Sequence, residues 1–234
     1  DWLISFGGGG VLDIWGSAAS LYSCGINLMV VPTTLNCMIS GALSRVSYLN
    51  VGSHKNEISQ PFNPTVVILD PTFLKTVPSK VKASGYAEVM RVALLSDLSL
   101  ISGLDGIKDL RIYLNALYSA WSKIEKEDPL LLTLGEELAY SIESYFRFLN
   151  YSEGEALALS LLTIVDSKKL APIKSIYSAL NLPIKLEGCT AKMIIKTFSE
   201  RMAHKGMLSI KMVDYKSGSY KVCEYSLEEA IAVL

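Results

Sequence analysis

The sequence predicts an α/β protein, with a parallel-sheet part to about residue 72 and a mostly α-helical part over residues 73–234. Three observations predict it. Short, continuous apolar runs at residues 3–6, 27–31 and 65–69 look like strands buried on both faces. The first two are separated by a helical stretch, and strands alternating with helices imply a parallel sheet covered on both sides. After Pro71 the texture changes to long helical patterns, with few β-rich runs until residues 208–213.

Each element has a local reason. Residues 3–6 run straight into Gly7-Gly8-Gly9-Gly10, and the small and apolar residues 11–22 then suit a packed helix. Residues 27–31 are closed by Pro32, and residues 65–69 end at Asp70-Pro71. Helices are expected over 79–96, 109–126, 135–149, 154–170, 172–180 and 191–204. The break before 172 is assigned to Pro172, because proline suits a first turn and not an interior. Residues 208–213 and 220–225 flank Lys216-Ser217-Gly218-Ser219 and read as a hairpin. Ser226-Leu227-Glu228-Glu229 has the character of a capping box opening a short final helix.

Composition excludes several classes. The chain of 234 residues is half hydrophobic, enough to bury a real core, and its mean hydropathy is +0.32. With 22 basic and 23 acidic side chains, it has no excess of positive charge for nucleic acid. Cys24, Cys37, Cys189 and Cys223 are scattered without CxxC spacing, which fits buried thiols in a reducing, cytoplasmic setting. Residues 14–44 carry no charge, but Gly16, Gly25, Pro32 and Gly41 interrupt them, so they are expected to be buried helix, strand and turn and not a membrane span. No signal peptide is visible, and the chain opens on Asp1.

The glycine run is the first feature with chemistry in it. Glycines let a backbone approach a phosphate closely, and the helix that follows offers free N–H groups and a positive dipole end. Strand, glycine turn and helix together are the arrangement of nucleotide sites, although a tightly packed turn explains the same residues equally well.

Several segments in order then carry a family resemblance. Gly8-Gly9-Gly10-Val11-Leu12-Asp13, with Gly16-Ser17-Ala18-Ala19, is followed by Val30-Val31-Pro32-Thr33-Thr34-Leu35 and by Lys55-Asn56-Glu57-Ile58. Next come Phe62-Asn63-Pro64 with Val67-Ile68-Leu69-Asp70, then Leu74-Lys75-Thr76-Val77-Pro78, Gly85-Tyr86-Ala87-Glu88-Val89-Met90-Arg91 and Gly154-Glu155-Ala156. Their order and spacing resemble the 3-dehydroquinate synthase family of sugar-phosphate cyclases.

The resemblance implies a partial dinucleotide-binding domain over residues 1–72, whose N-terminal part is expected to be missing, since the family carries further βα units before the glycine turn. It implies a metal- and substrate-binding helical domain over residues 73–234. The implied activity is NAD-assisted phosphate elimination and cyclisation of a seven-carbon sugar phosphate in the shikimate pathway, a carbon–oxygen lyase reaction. NAD and a divalent metal, zinc in the family, are the implied cofactors. Gly8, Gly9, Gly10, Asp13, Thr33 and Thr34 are expected at the nucleotide. Lys55, Asn56 and Arg91 are the catalytic candidates, and Glu88, Glu136 and Glu153 the metal candidates. The implied partner is a small sugar phosphate, with no nucleic acid or membrane, and a homodimer is compatible with the family.

This chain departs from the family at charged and imidazole positions. Glu136 and Tyr140 stand where the family has histidines, as does Glu153, and Arg91 stands where it has lysine. Three carboxylates suit Mg²⁺, Mn²⁺ or Ca²⁺ better than zinc. The favoured, simpler account makes Glu136 a first-turn helix carboxylate and Glu153 an exposed loop residue. In a further alternative a cationic side chain fills the site, with Arg91 pairing with Glu88 one turn earlier. His54 and His204 are weaker candidates, a loop side chain and a helix-end side chain. Three readings follow: a 3-dehydroquinate synthase-like enzyme, a related cyclase or polyol dehydrogenase with an altered metal site, and a pseudoenzyme with a binding or structural role.

Overall fold

The computed structural model describes residues 1–23, 25–52, 54–102, 110–165, 167–204, 210–214 and 221–225. The chain divides into two compact units, Asp1–Val89 with Ser99–Trp121, and Met90–Leu98 with Ser122–Leu234. The expected boundary near residue 72 lies inside the first unit.

In the first unit, strand β1 (Trp2–Gly7), helix α1 (Gly9–Leu21) and strand β2 (Asn27–Pro32) form the start of a parallel sheet, completed by the short β5 (Val66–Val67) in the order β1-β2-β5. β5 is shorter than the expected 65–69, but the ladder runs on at both ends. The Thr65 amide donates to the Leu28 carbonyl at 2.7 Å, and the Ile68 amide to that of Val30 at 2.9 Å. Alternation sorts the side chains. Leu3, Leu28, Val30 and Val67 face α1 and share its core with Leu12, Cys37, Ala42 and Phe62. Fully burying a Leu, Val or Phe side chain there contributes about 1.5–3 kcal/mol. On the opposite face Trp2, Ile4 and Phe6 are 50%, 59% and 56% exposed, and Phe6 meets the Phe73 ring edge-on at 5.1 Å.

An antiparallel hairpin, β3 (Val46–Val51) and β4 (His54–Pro61), was not expected. It packs on α1 through a close approach: a Cβ on Gly16 would lie 2.3 Å from the Phe62 ring, so this position accepts only glycine. The Ser17 and Ser47 hydroxyls hydrogen-bond at 3.1 Å beside that contact. Helix α2 (Ser79–Leu95) crosses from the first unit into the second. Within the first unit it presses Gly85 onto Leu35 and the Asn36 amide, where a Cβ would sit at 2.6 and 3.0 Å. The short α3 (Ser99–Ser102) precedes α4 (Leu110–Glu127), and the Tyr113 hydroxyl on α4 donates to the Leu100 carbonyl at 2.9 Å.

The second unit is helical: α5 (Glu136–Tyr145), α6 (Glu153–Thr163), α7 (Ser167–Ala179) and α8 (Ala191–His204), then an antiparallel pair β6 (Ile210–Asp214) and β7 (Lys221–Tyr225). α6 is buried along nearly its whole length, from Ala156 to Thr163, as an apolar helix must be. Three helix ends differ from expectation. α5 stops at Tyr145 because Arg147 and Phe148 turn left-handed, with φ of 52° and 62°. α6 stops at Thr163, where the Ile164 amide closes onto the Leu161 carbonyl. Pro172 lies inside α7 instead of starting it, and the helix begins at Ser167. The final helix expected from Ser226 lies outside the described residues. Among the described residues no helix is long and apolar enough to cross a membrane.

Candidate functional site

The glycine turn joins the C-terminal end of β1 to α1, at the edge of a parallel sheet where open α/β folds bind ligands. Gly8 is the N-cap of α1 with no side-chain cap, so the helix's first amides are left to the turn. The Thr33 amide donates to the Gly7 carbonyl at 2.9 Å, tying the end of β2 to the turn. A Cβ on Gly8 would stand 3.2 Å from the Thr34 methyl, and one on Gly10 would meet nothing within 4 Å. Gly9 and Gly10 are exposed. The expected residues Gly8, Gly9, Gly10, Thr33 and Thr34 are therefore brought together by two adjacent strand ends. Asp13, expected with them, accepts the Tyr48 amide at 3.1 Å and ties α1 to β3. Lys55 and Asn56 are half-buried near the turn end of β4. Asn56 sits at φ 58°, and its amide donates to the Asn50 side chain at 2.9 Å.

The second unit places charge around α5. Gly135 enters the helix at φ 85°, with its carbonyl accepting the Ser160 hydroxyl at 2.7 Å. That left-handed entry sets Glu136 and Glu137 in the first turn, where carboxylates suit the helix dipole. Arg91, 2% exposed on α2, donates to Glu136 Oε1 at 2.7 Å. Tyr140, one turn along α5, donates its hydroxyl to Glu136 Oε2 at 3.1 Å. Burial first, then the charges of Glu136 and Glu153, push the Tyr140 phenol well above its ordinary value, so it remains a donor. Arg201 on α8 donates Nε to Glu137 Oε2 at 2.9 Å and stands over the Tyr140 ring at 5.1 Å.

These partners bear on the metal candidates. Glu88 is buried on α2, in the first unit. Glu136 is committed through both oxygens, and Glu153 is exposed but stands in the first turn of α6, where the simpler account expected a loop residue. Among the described residues no three His, Cys, Asp or Glu side chains are grouped to hold a metal ion. As arranged, the donor set does not fit a resident divalent ion. A cation does sit against Glu136, and it is Arg91. Tyr140, Glu137 and Arg201 were not among the expected site residues. Glu137 and Arg201 are 64 positions apart, and no local spacing signals such a pair.

A parallel sheet with a glycine turn at its strand ends, followed by a helical unit, defines an α/β protein with a helical second part. Comparison narrows it. A family model described as 3-dehydroquinate synthase N-terminal matches residues 1–84. The 3-dehydroquinate synthase of Clostridium kluyveri is 26% identical, over all of this chain and 71% of its own length. That of Campylobacter jejuni subsp. doylei is 32% identical, over 78% of this chain and 60% of its own. The chain thus spans between three-fifths and three-quarters of these relatives.

Two solved structures share the fold. One is ValA, a 2-epi-5-epi-valiolone synthase from Streptomyces hygroscopicus subsp. jinggangensis 5008 with NAD⁺ and Zn²⁺ bound, with a TM-score of 0.83 and 21% identity over 98% of this chain and 71% of that one. The other is a 2-deoxy-scyllo-inosose synthase complexed with carbaglucose-6-phosphate, NAD⁺ and Co²⁺, with a TM-score of 0.77 and 19% identity over 98% and 72%. The chain is thus similar to 3-dehydroquinate synthases, most clearly over residues 1–84, and shares its fold with these two cyclases.

Proposed function

We propose that this chain is the greater part of a 3-dehydroquinate synthase-like enzyme, one that binds NAD and converts a seven-carbon sugar phosphate into a carbocycle with loss of phosphate, in the shikimate pathway. The single observation that carries the reading is the strand–glycine turn–helix at Gly7–Gly10 held against Thr33 and Thr34. NAD supplies reversible hydride acceptance at the carbon to be activated. The amides of Gly9 and Gly10 and the dipole of α1 would hold the pyrophosphate of NAD, with Thr33 and Thr34 beside them. Asp13 holds α1 and β3 in register and so positions the turn. Lys55 and Asn56 are assigned to the substrate side of the nucleotide, where an ammonium neutralises phosphate charge. Arg91 is assigned to the substrate end of the helical unit. Residues 1–72 form the nucleotide part and residues 73–234 the substrate part in this reading, and the setting is cytoplasmic.

A divalent metal is the second cofactor the likeness implies, but its candidates Glu88, Glu136 and Glu153 are, among the described residues, not grouped to hold one. The Arg91–Glu136 pair favours the second reading, a related cyclase with an altered centre. The test has two parts. NAD is added to the purified protein and Tm is read, since a ligand of the native state raises it. Carbocycle formation from the seven-carbon substrate is then followed by mass spectrometry. A raised Tm with 3-dehydroquinate formed supports the first reading. A raised Tm with a different carbocycle supports the second. No rise in Tm sinks both.

A further inference from the structure

We infer that the polar centre of the helical unit excludes a divalent metal, with the guanidinium of Arg91 as the fixed cation on Glu136. The inference deepens the reading above, because it concerns the centre that this reading assigns to substrate.

Two arginines, Arg91 and Arg201, meet two glutamates, Glu136 and Glu137, in two ion pairs. Tyr140 lies between them, with its hydroxyl on Glu136 and its ring under Arg201. Glu136 thus meets a donor at each oxygen, at 2.7 and 3.1 Å. A metal entering here must displace one of these donors. Displacing Tyr140 puts a dication on the carboxylate that Arg91 already holds, and the two positive charges repel at close range. Displacing Arg91 pulls a guanidinium that is 2% exposed off a carboxylate it meets at 2.7 Å, and breaking one side of a buried ion pair is the costlier outcome. Arginine offers no escape by deprotonation, because a guanidinium keeps its proton in proteins. A lysine or histidine there could lose its proton and yield to a metal. An arginine cannot.

The experiment uses the purified chain and Zn²⁺, Co²⁺ and Mn²⁺ as probes. Elemental analysis is expected to find substoichiometric metal after expression in zinc-supplemented medium. Tm is expected to be the same in EDTA and in excess of each ion, where a bound ion would raise it by several degrees. One equivalent of metal that EDTA removes with a fall in Tm overturns the inference. A double-mutant cycle gives an independent reading of the pair. Arg91→Met and Glu136→Gln each lower Tm, and the double variant is expected to lie above the sum of the two losses. Strict additivity overturns the pairing on which exclusion rests. Neither arm depends on NAD, so the functional reading and this one fail separately: NAD without effect on Tm removes the enzyme reading, while metal uptake removes this one.

Discussion

At the scale of single residues, three positions carry more than their neighbours. Gly16 has no room for a methyl group, since a Cβ there would overlap the Phe62 ring at 2.3 Å. Gly16→Ala is expected to cost about 1–3 kcal/mol through overpacking, read as a lower denaturation midpoint with an unchanged m-value. Arg91 and Glu136 are the second and third. Removing either partner of a mostly buried pair costs about 3 kcal/mol, so Arg91→Met is expected to unfold well below the parent on heating. Neither position announces itself in the sequence. Gly16 sits in a run of small residues, and Arg91 and Glu136 are 45 positions apart. The sequence suggested a cation in place of a metal, with Glu88 one turn away as its partner. Arg91 meets Glu136, on another helix.

At the scale of elements, the ends of helices α5 and α6 decide where the acidic side chains point. Ser152 and Glu155 form a reciprocal capping box at the start of α6, with the Ser152 amide donating to Glu155 Oε2 at 2.8 Å. Ser152→Ala is expected to cost about 1 kcal/mol, seen as a fall in Tm of a few degrees. Gly135 enters α5 at φ 85°, and a side chain there would also press on the Ser160 hydroxyl at 3.0 Å. Elements with a single strong local cause were legible. Apolar runs marked β1 and β2, and helical periodicity marked α2, α4 and α8. The β3–β4 hairpin was not, because Lys55-Asn56-Glu57 interrupts any apolar alternation and its stability comes from α1. The early end of α5 was also hidden, since Arg147 and Phe148 are not residues that announce a left-handed turn.

At the scale of the whole molecule, alkaline pH tests both units at once. Burial pushes the phenols of Tyr113, in the first unit, and Tyr177, in the second, far above their ordinary value of 10.0. In the unfolded chain they ionise near pH 10, while in the folded chain they keep their protons. Unfolding then releases protons, so stability falls as pH climbs past 10. Absorbance of phenolate at alkaline pH is expected to show a late component that appears together with the loss of helical circular dichroism. A component that titrates near pH 10 with the fold intact would place one of these rings in water. The legibility of the glycine turn and the illegibility of the charge network have one physical origin: backbone-driven turns are contiguous in sequence, and side-chain networks are assembled from distant helices.

The uncovered face of β1 has a practical consequence. β1 is the outermost strand of its sheet among the described residues, and it shows Trp2, Ile4 and Phe6 to solvent. A row of unpaired amides and carbonyls bordered by apolar rings is a template on which another chain can add a strand. The isolated 234-residue chain is therefore expected to scatter light increasingly with concentration. Ile4→Lys, which sets a charge on that border, is expected to suppress the scattering while leaving the circular dichroism unchanged.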